Sequence, residues 1–206
     1  RFSDILLDAT NNFILHIENA EEVSGIPDDV LQAAKEMAKK DDVSGWKFTL
    51  HAPSYQPIMQ YADDRELRRK MYQAYSTRAS EAGVNVEINS GCKVDWDNTP
   101  LIRKILKLRK EEALLLGFNS YAEVSLASKM ASTPNQVLEF LTDLAVKAKP
   151  YAKNDLEALK RFSFDQIGLE NLESWDLAYV SEKLRVDRYA FSDEEIKKYF
   201  PESKVL

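Results

Sequence analysis

The sequence predicts a mainly α-helical protein that carries a small β-sheet near its N-terminus. Two short segments within the first 51 residues alternate between apolar and polar side chains, which is typical of strands. After residue 57 most apolar residues fall at helical spacing, and capping residues mark where the helices begin. We therefore expect a strand–helix–strand segment with a small sheet over 1–60 and a helical segment over 61–206.

The two predicted strands lie at 12–18 and 46–51. Alternation over five or six residues indicates a strand with one buried face. The segment between them, 27–40, has apolar residues at helical spacing and begins with a proline, which suits a first helical turn. The faces expected to be buried are Phe13, Leu15 and Ile17 in the first strand and Trp46, Phe48 and Leu50 in the second.

The two histidines of the chain, His16 and His51, fall on the polar faces of these strands. If the strands pair, the imidazoles could approach each other and form a two-histidine metal site. A catalytic zinc site needs three protein ligands, so we interpret both residues as surface or interlobe histidines. Ser54 and Tyr55 follow His51, and we expect them to be structural because no base is available to activate the serine.

The helical segment has well-marked starts. Asn98 is followed by Thr99 and Pro100, which predicts a further helix there, and Gly117 marks its end. We expect the helix that begins after Thr133 to be kinked or interrupted at Pro150, and we expect loops at 83–98 and 163–174. The predicted capping boxes pair Asp63 with Glu66, Ser120 with Glu123, Thr133 with Gln136 and Ser192 with Glu195.

Composition excludes several classes of protein. The 206 residues carry 34 acidic and 28 basic side chains, a net charge of −6, which argues against a general nucleic-acid binder. We interpret the basic run "RELRRK" at 65–70 as the solvated face of a helix. No segment approaches the roughly 20 apolar residues that span a bilayer. The single cysteine, Cys92, excludes an internal disulfide, fits a reducing cytosol, and is interpreted as an incidental loop thiol.

No self-contained active site is visible in the sequence. The two histidines are 35 residues apart, so an H-E-x-x-H motif is impossible, and no phosphate-binding glycine loop or G-x-S-x-G motif is present. The segment "ESWDLAYVSEKLR" at 173–185 offers the best binding candidates, Trp175 and Tyr179, with Asp176 beside them. Four residues apart on a helix, the two rings either line a wall that binds a peptide substrate or pack into the core.

Six segments occur in the following order: "RFSDILLDAT", "GIPDDVL", "TLHAPSYQPIMQYADDRELRRKMYQAYSTRAS", "LLGFNSYAEVSLASKMA", "ESWDLAYVSEKLR" and "KKYFPESKVL". Together they resemble the thimet-oligopeptidase family of zinc metallopeptidases, and the resemblance runs from Phe2 to Leu206. It implies a mainly helical enzyme whose two lobes face each other across a deep channel that admits short peptides. It also implies zinc held by an H-E-x-x-H helix and a later glutamate.

The family pattern would place the zinc helix, the third ligand and the catalytic loop C-terminal to residue 206. We therefore assign no catalytic residue, no metal ligand and no cofactor to this chain. We assign zinc to the parent protein only. Val180 departs from similar proteins, which often have an aromatic residue there, and this weakens the case for an aromatic wall.

The resemblance implies a cytoplasmic parent enzyme that hydrolyses short peptides. We expect this chain to supply scaffold and part of the channel wall and to be inactive alone. The start at Arg1 and the apolar end at Leu206 suggest an excised piece of a longer polypeptide. The alternative is a complete, non-catalytic helical binding or scaffold protein, and the reading frame after Leu206 distinguishes the two.

Overall fold

The first part of the chain contains a small two-stranded sheet. The computed structural model describes residues 1–83, 96–190, 196, 199 and 200. Strands β1 (Leu15–Ile17) and β2 (Trp46–Phe48) pair antiparallel, with Leu15 opposite Phe48 and Ile17 opposite Trp46. Ile17 and Phe48 are buried, whereas His16 is exposed, so the predicted alternation is confirmed.

Helix α1 (Phe2–Asn12) precedes the sheet and is missing from the sequence prediction. Phe2, Ile5, Leu6 and Ala9 recur at helical spacing, so the sequence carried the signal for this helix, although Ala9 is its only buried residue. Helix α2 (Asp28–Lys40) connects the strands, as predicted. Acidic residues in its first turn and lysines in its last turn complement the helix dipole, and its buried alanines allow it to lie close to β2.

Two helices follow β2 at once. Helix α3 (Ala52–Tyr61) begins directly after His51 and contains Pro57, and it is held in place by its buried face, which includes Ile58. In helix α4 (Arg65–Thr77) the capping side chain belongs to Asp64, which accepts a hydrogen bond from Leu67 N at 2.6 Å. The prediction of Asp63 as this cap is wrong by one residue.

The next helices begin where their caps predict. Helix α5 (Thr99–Leu115) follows Asn98 and ends before Gly117, whose φ of 78° provides the left-handed stop. Helix α6 (Tyr121–Leu126) is capped by Ser120, which accepts a hydrogen bond from Glu123 N. Helix α7 (Pro134–Phe162) is capped in the same way by Thr133, so both caps are confirmed.

Helix α7 runs through Pro150 for 29 residues, so of the two outcomes predicted at this proline, a kink or an interruption, the interruption is wrong. A π-helical turn at Ser163–Ile167 extends it, and the predicted loop therefore begins only at Gly168. Helix α8 (Leu177–Tyr189) returns along the end of α7. Cys92, the predicted cap at Ser192 and most of the 83–98 loop lie outside the described residues.

The hydrophobic core is built by the sheet, by α2, α3 and α4, and by the start of α8. Trp175 and Ala178 pack against it, which brings α8 onto the N-terminal part of the chain. No helix of the described ranges is long and apolar enough to cross a membrane. The buried cluster consists of Phe13, Ile17, Val23, Ile26, Ala34, Phe48, Leu50, Ile58, Met59, Ala62, Leu67, Met71 and Ala74.

Candidate functional site

Asp176 is the centre of a buried ionic cluster between α4 and α8. Its side chain is 0% exposed, and it precedes the first residue of α8. Arg65 donates to it through Nε, 3.1 Å from each carboxylate oxygen, and through Nη2, 2.7 Å from Oδ2. Glu173 N also donates to Oδ2, at 3.1 Å. A charge removed from water in this way is stable only when it is fully hydrogen-bonded, and here both oxygens are.

Arg68 completes the cluster from the buried face of α4. Its side chain is 1% exposed, and its Nη2 donates to Asp176 Oδ1 at 2.9 Å. Its Nη1 donates to the carbonyls of Ala62 and Asp63, at 2.7 and 3.2 Å. The planar guanidinium therefore joins α8 to the α3–α4 connection, a geometry that a lysine could not reproduce.

Tyr179, one of the two predicted substrate-binding residues, lies one turn into α8 and is buried at 8% exposure. Its hydroxyl donates to Asp63 Oδ1 at 2.9 Å, and Ser24 Oγ donates to Asp63 Oδ2 at 3.0 Å. The Arg68 guanidinium lies 4.1 Å from the centre of the tyrosine ring, and the Lys183 ammonium lies 5.0 Å from it. Tyr179 thus connects the ionic cluster to Asp63.

These contacts shift three pKa values. Burial would raise the pKa of Asp176, but the hydrogen bonds from Arg65 and Arg68 outweigh burial and hold this pKa below its ordinary value. Burial acts in the same way on Asp63, where the hydrogen bonds from Tyr179 and Ser24 lower the pKa. Burial and the hydrogen bond to Asp63 together raise the pKa of Tyr179 to about 12.

Trp175, the other predicted substrate-binding residue, is half-buried and lies just before α8, so the prediction that both rings lie on one helix is wrong. Its ring packs against the core and lies 6.1 Å from the ring of Tyr72, inclined at 60°. Val180, the neighbour of Tyr179, is 0% exposed. One side of Trp175 therefore belongs to the core, while part of its surface faces solvent.

The interpretation of the basic run at 65–70 as the solvated face of a helix is wrong for Arg65 and Arg68. Arg68 is buried and Arg65 reaches Asp176, whereas Arg69 pairs with the exposed Glu66 on the outer side of α4. Spacing offered a signal, because Arg68 lies three residues before the buried Met71 and therefore shares its face. The partner could not be found in this way, because Asp176 lies 108 residues further along the chain.

The two histidines do not form a metal site. His16 lies opposite Lys47 in the sheet, and His51 lies beyond β2, at the residue before α3. Within the described part of the chain, no group of three His, Cys, Asp or Glu side chains could hold a metal ion. These residues therefore do not fit a catalytic zinc ion, which needs three protein ligands.

His51 lies at a pocket of about 460 Å³ between α2, the end of β2 and the start of α3. Its walls include Val30, Met37 and Phe48, and His51 and Asp29 lie among its polar residues. Ser54 does not point a free hydroxyl into this pocket, because its Oγ accepts a hydrogen bond from Thr49 N at 3.0 Å. The expected structural role of Ser54 agrees with this bond.

Sequence comparison relates the chain to known peptidases. The model of peptidase family M3 matches residues 58–206. Oligopeptidase A of Haemophilus influenzae is 46% identical over all 206 residues, and that of Escherichia coli is 44% identical over the same length. A probable cytosolic oligopeptidase A of Arabidopsis thaliana is 40% identical over 215 aligned residues. The chain spans 29% of the length of each of these relatives.

Proposed function

The chain belongs to peptidase family M3, and from this membership we propose that it is the scaffold and channel-wall segment of a zinc-dependent oligopeptidase. The parent protein would hydrolyse short peptides in the cytoplasm, and the segment alone would be inactive. The observation that carries this proposal is the 44 to 46% identity to bacterial relatives over the whole chain, each of them named oligopeptidase A. Zinc would be bound by residues outside these 206.

The ionic cluster supports the scaffold role. It ties α8 to α4 through Asp176 and to the α3–α4 connection through Tyr179, so that parts of the chain more than 100 residues apart are held together. A binding wall must keep its shape when substrate is absent, and buried, paired charges provide such rigidity.

A role in peptide binding for Trp175 and Tyr179 is part of the proposal. The exposed surface of Trp175 would touch the peptide, and Tyr179 would hold the start of α8 behind it through Asp63 and Arg68. In the longer enzyme, Trp175→Ala should raise KM several-fold while kcat changes less. Equal KM values for the variant and the parent would contradict contact at Trp175.

The proposal is tested with the longer polypeptide encoded by the uninterrupted reading frame around these residues. It should cleave a quenched-fluorescent short peptide, and the 206-residue chain should not. Failure of the longer polypeptide to cleave a panel of short peptides would contradict the proposal, as would cleavage by the 206-residue chain. An H-E-x-x-H helix encoded after Leu206 would favour the peptidase over a non-catalytic binding protein.

A further inference from the structure

Helix α7 carries an apolar stripe that α8 covers at only one end. Val137, Leu141, Leu144, Ala148 and Tyr151 recur at alternating intervals of four and three residues, which places them along one side of the helix. The polar residues Glu139 and Asp143 lie on the opposite side. The helix is therefore built to bury one side against a neighbour.

The covered end shows what kind of neighbour fits. Ala158 and Leu159 of α7 are half-buried, and they line a cleft with Ser181, Leu184 and Tyr189 of α8. Tyr189 is the last residue of α8, and Ala190 beyond it has a φ of 55°, which ends the helix. Helix α8 therefore stops where the stripe continues towards the start of α7.

Every residue of α7 from 138 to 157 is exposed. Within the stripe, Leu141, Leu144 and Tyr151 are 53%, 47% and 74% exposed. Large contiguous apolar patches of this kind are rare on the surface of a monomer and mark a contact surface. Among the described residues beyond α8, Tyr199 and Phe200 are themselves 82% and 65% exposed, so they do not provide the cover.

We propose that the stripe over 137–151 is the docking face for an amphipathic helix from the same parent polypeptide, outside the 206 residues. The inference rests on the proposed function, because the relatives that match the whole chain are much longer and the chain spans 29% of their length. The docked helix continues the layer that α8 begins.

The side chains of α7 define the chemistry of this helix. Ala145, Ala148 and Ala152 are small and lie along one side, so a neighbouring backbone can approach closely and place large apolar side chains between them. Lys149 and Lys153 flank the stripe on one side, which favours acidic residues along the facing edge of the docked helix.

The test measures the reactivity of single cysteines with iodoacetamide, after Cys92 is replaced by serine. Leu141→Cys lies in the stripe, and Glu139→Cys lies on the opposite side of α7 as the matched control. In the longer polypeptide Leu141→Cys should react about tenfold or more slowly than in the 206-residue chain, because reaction then requires local opening. Glu139→Cys should react at the same rate in both, and circular dichroism should show that each variant folds.

Equal reaction rates of Leu141→Cys in the two proteins would overturn the inference. So would protection in the 206-residue chain alone that increases with its concentration, since a second copy would then be the occupant. A reading frame that encodes nothing beyond these residues would overturn it as well. Peptide cleavage measured on the same samples separates the two proposals: cleavage without protection contradicts only the docking face, and protection without cleavage contradicts only the activity.

Discussion

Arg68 and Asp176 are 108 residues apart in the sequence, yet they form a buried ion pair with an Nη2–Oδ1 distance of 2.9 Å. Both side chains are at most 1% exposed. The pair is extended by Arg65 on the second carboxylate oxygen and by the ring of Tyr179 against the Arg68 guanidinium. This relationship fixes α8 on the N-terminal part of the chain, and it can be tested by substitution.

Asp176→Asn should be strongly destabilising. The amide keeps the shape of the side chain but removes the charge that pairs with Arg68, which then remains buried without a counter-ion. Loss of one partner from a buried pair costs about 3 to 5 kcal/mol of unfolding free energy. Urea denaturation measures the change. Asp187→Asn on the exposed side of α8 is the matched control and should change the free energy by less than about 0.5 kcal/mol. Similar values for the two variants would contradict a structural role of the buried pair.

Acid should destabilise the chain through Asp176 and Asp63. Both carboxyl groups have folded pKa values below the ordinary 3.8, so the unfolded chain takes up protons first as the pH falls. The stability that these groups contribute is present above about pH 4 and is lost as the pH falls through their folded pKa values. Urea midpoints at a series of pH values between 7 and 3 should fall more steeply for the wild type than for Asp176→Asn. Parallel profiles for the two proteins would show that folding does not lower the pKa of Asp176.

Alkali should destabilise the chain through Tyr179. Its pKa is raised to about 12 from an ordinary 10.0, so its contribution to stability is complete below pH 10 and is lost as the pH rises towards 12. Tyr179→Phe should remove a tyrosine with a pKa of about 12 from the absorbance titration of the folded protein. Tyr151→Phe is the control, because Tyr151 is 74% exposed. If the absorbance curves of the two variants coincide, the hydrogen bond to Asp63 does not control the ionisation of Tyr179.

Gly25→Ala should be more destabilising than Gly117→Ala. Both glycines have positive φ values, 82° and 78°, so an alanine suffers the same backbone strain at either position. Only at Gly25 would the new Cβ collide with other atoms, 2.3 Å from Tyr61 O and 2.8 Å from the side chain of Asp63. Gly25→Ala should therefore cost about 1 to 3 kcal/mol more than Gly117→Ala in urea denaturation. If the two substitutions lower the free energy of unfolding equally, Gly25 lies further from Asp63 than the structure shows.

Local patterns in the sequence predicted the features that depend on neighbouring residues. The alternation around Ile17 and Phe48 is fixed by one buried face of the sheet, and the caps Ser120 and Thr133 are fixed by hydrogen bonds that span three residues. Helix α7 continues through Pro150 against the local rule. The sequence shows that this proline has no amide hydrogen to donate within the helix. It does not show the other backbone hydrogen bonds that let the helix continue.

The ionic cluster could not be predicted in the same way. Arg68 looked like one charge in a solvated run, and only the fold brings Asp176 to it. The sequence singled out Trp175 and Tyr179 on either side of Asp176, but their burial depends on α4, which lies about 100 residues earlier. Their predicted contact with a peptide stays a prediction.

We propose that this chain is the framework of a family M3 peptidase whose zinc ligands lie elsewhere in the polypeptide. The most direct test is the zinc content of the purified 206-residue chain and of the longer polypeptide, after dialysis against a weak chelator. We expect about one zinc ion per longer polypeptide and none retained by the 206-residue chain. One tightly bound zinc ion per 206-residue chain would contradict the claim.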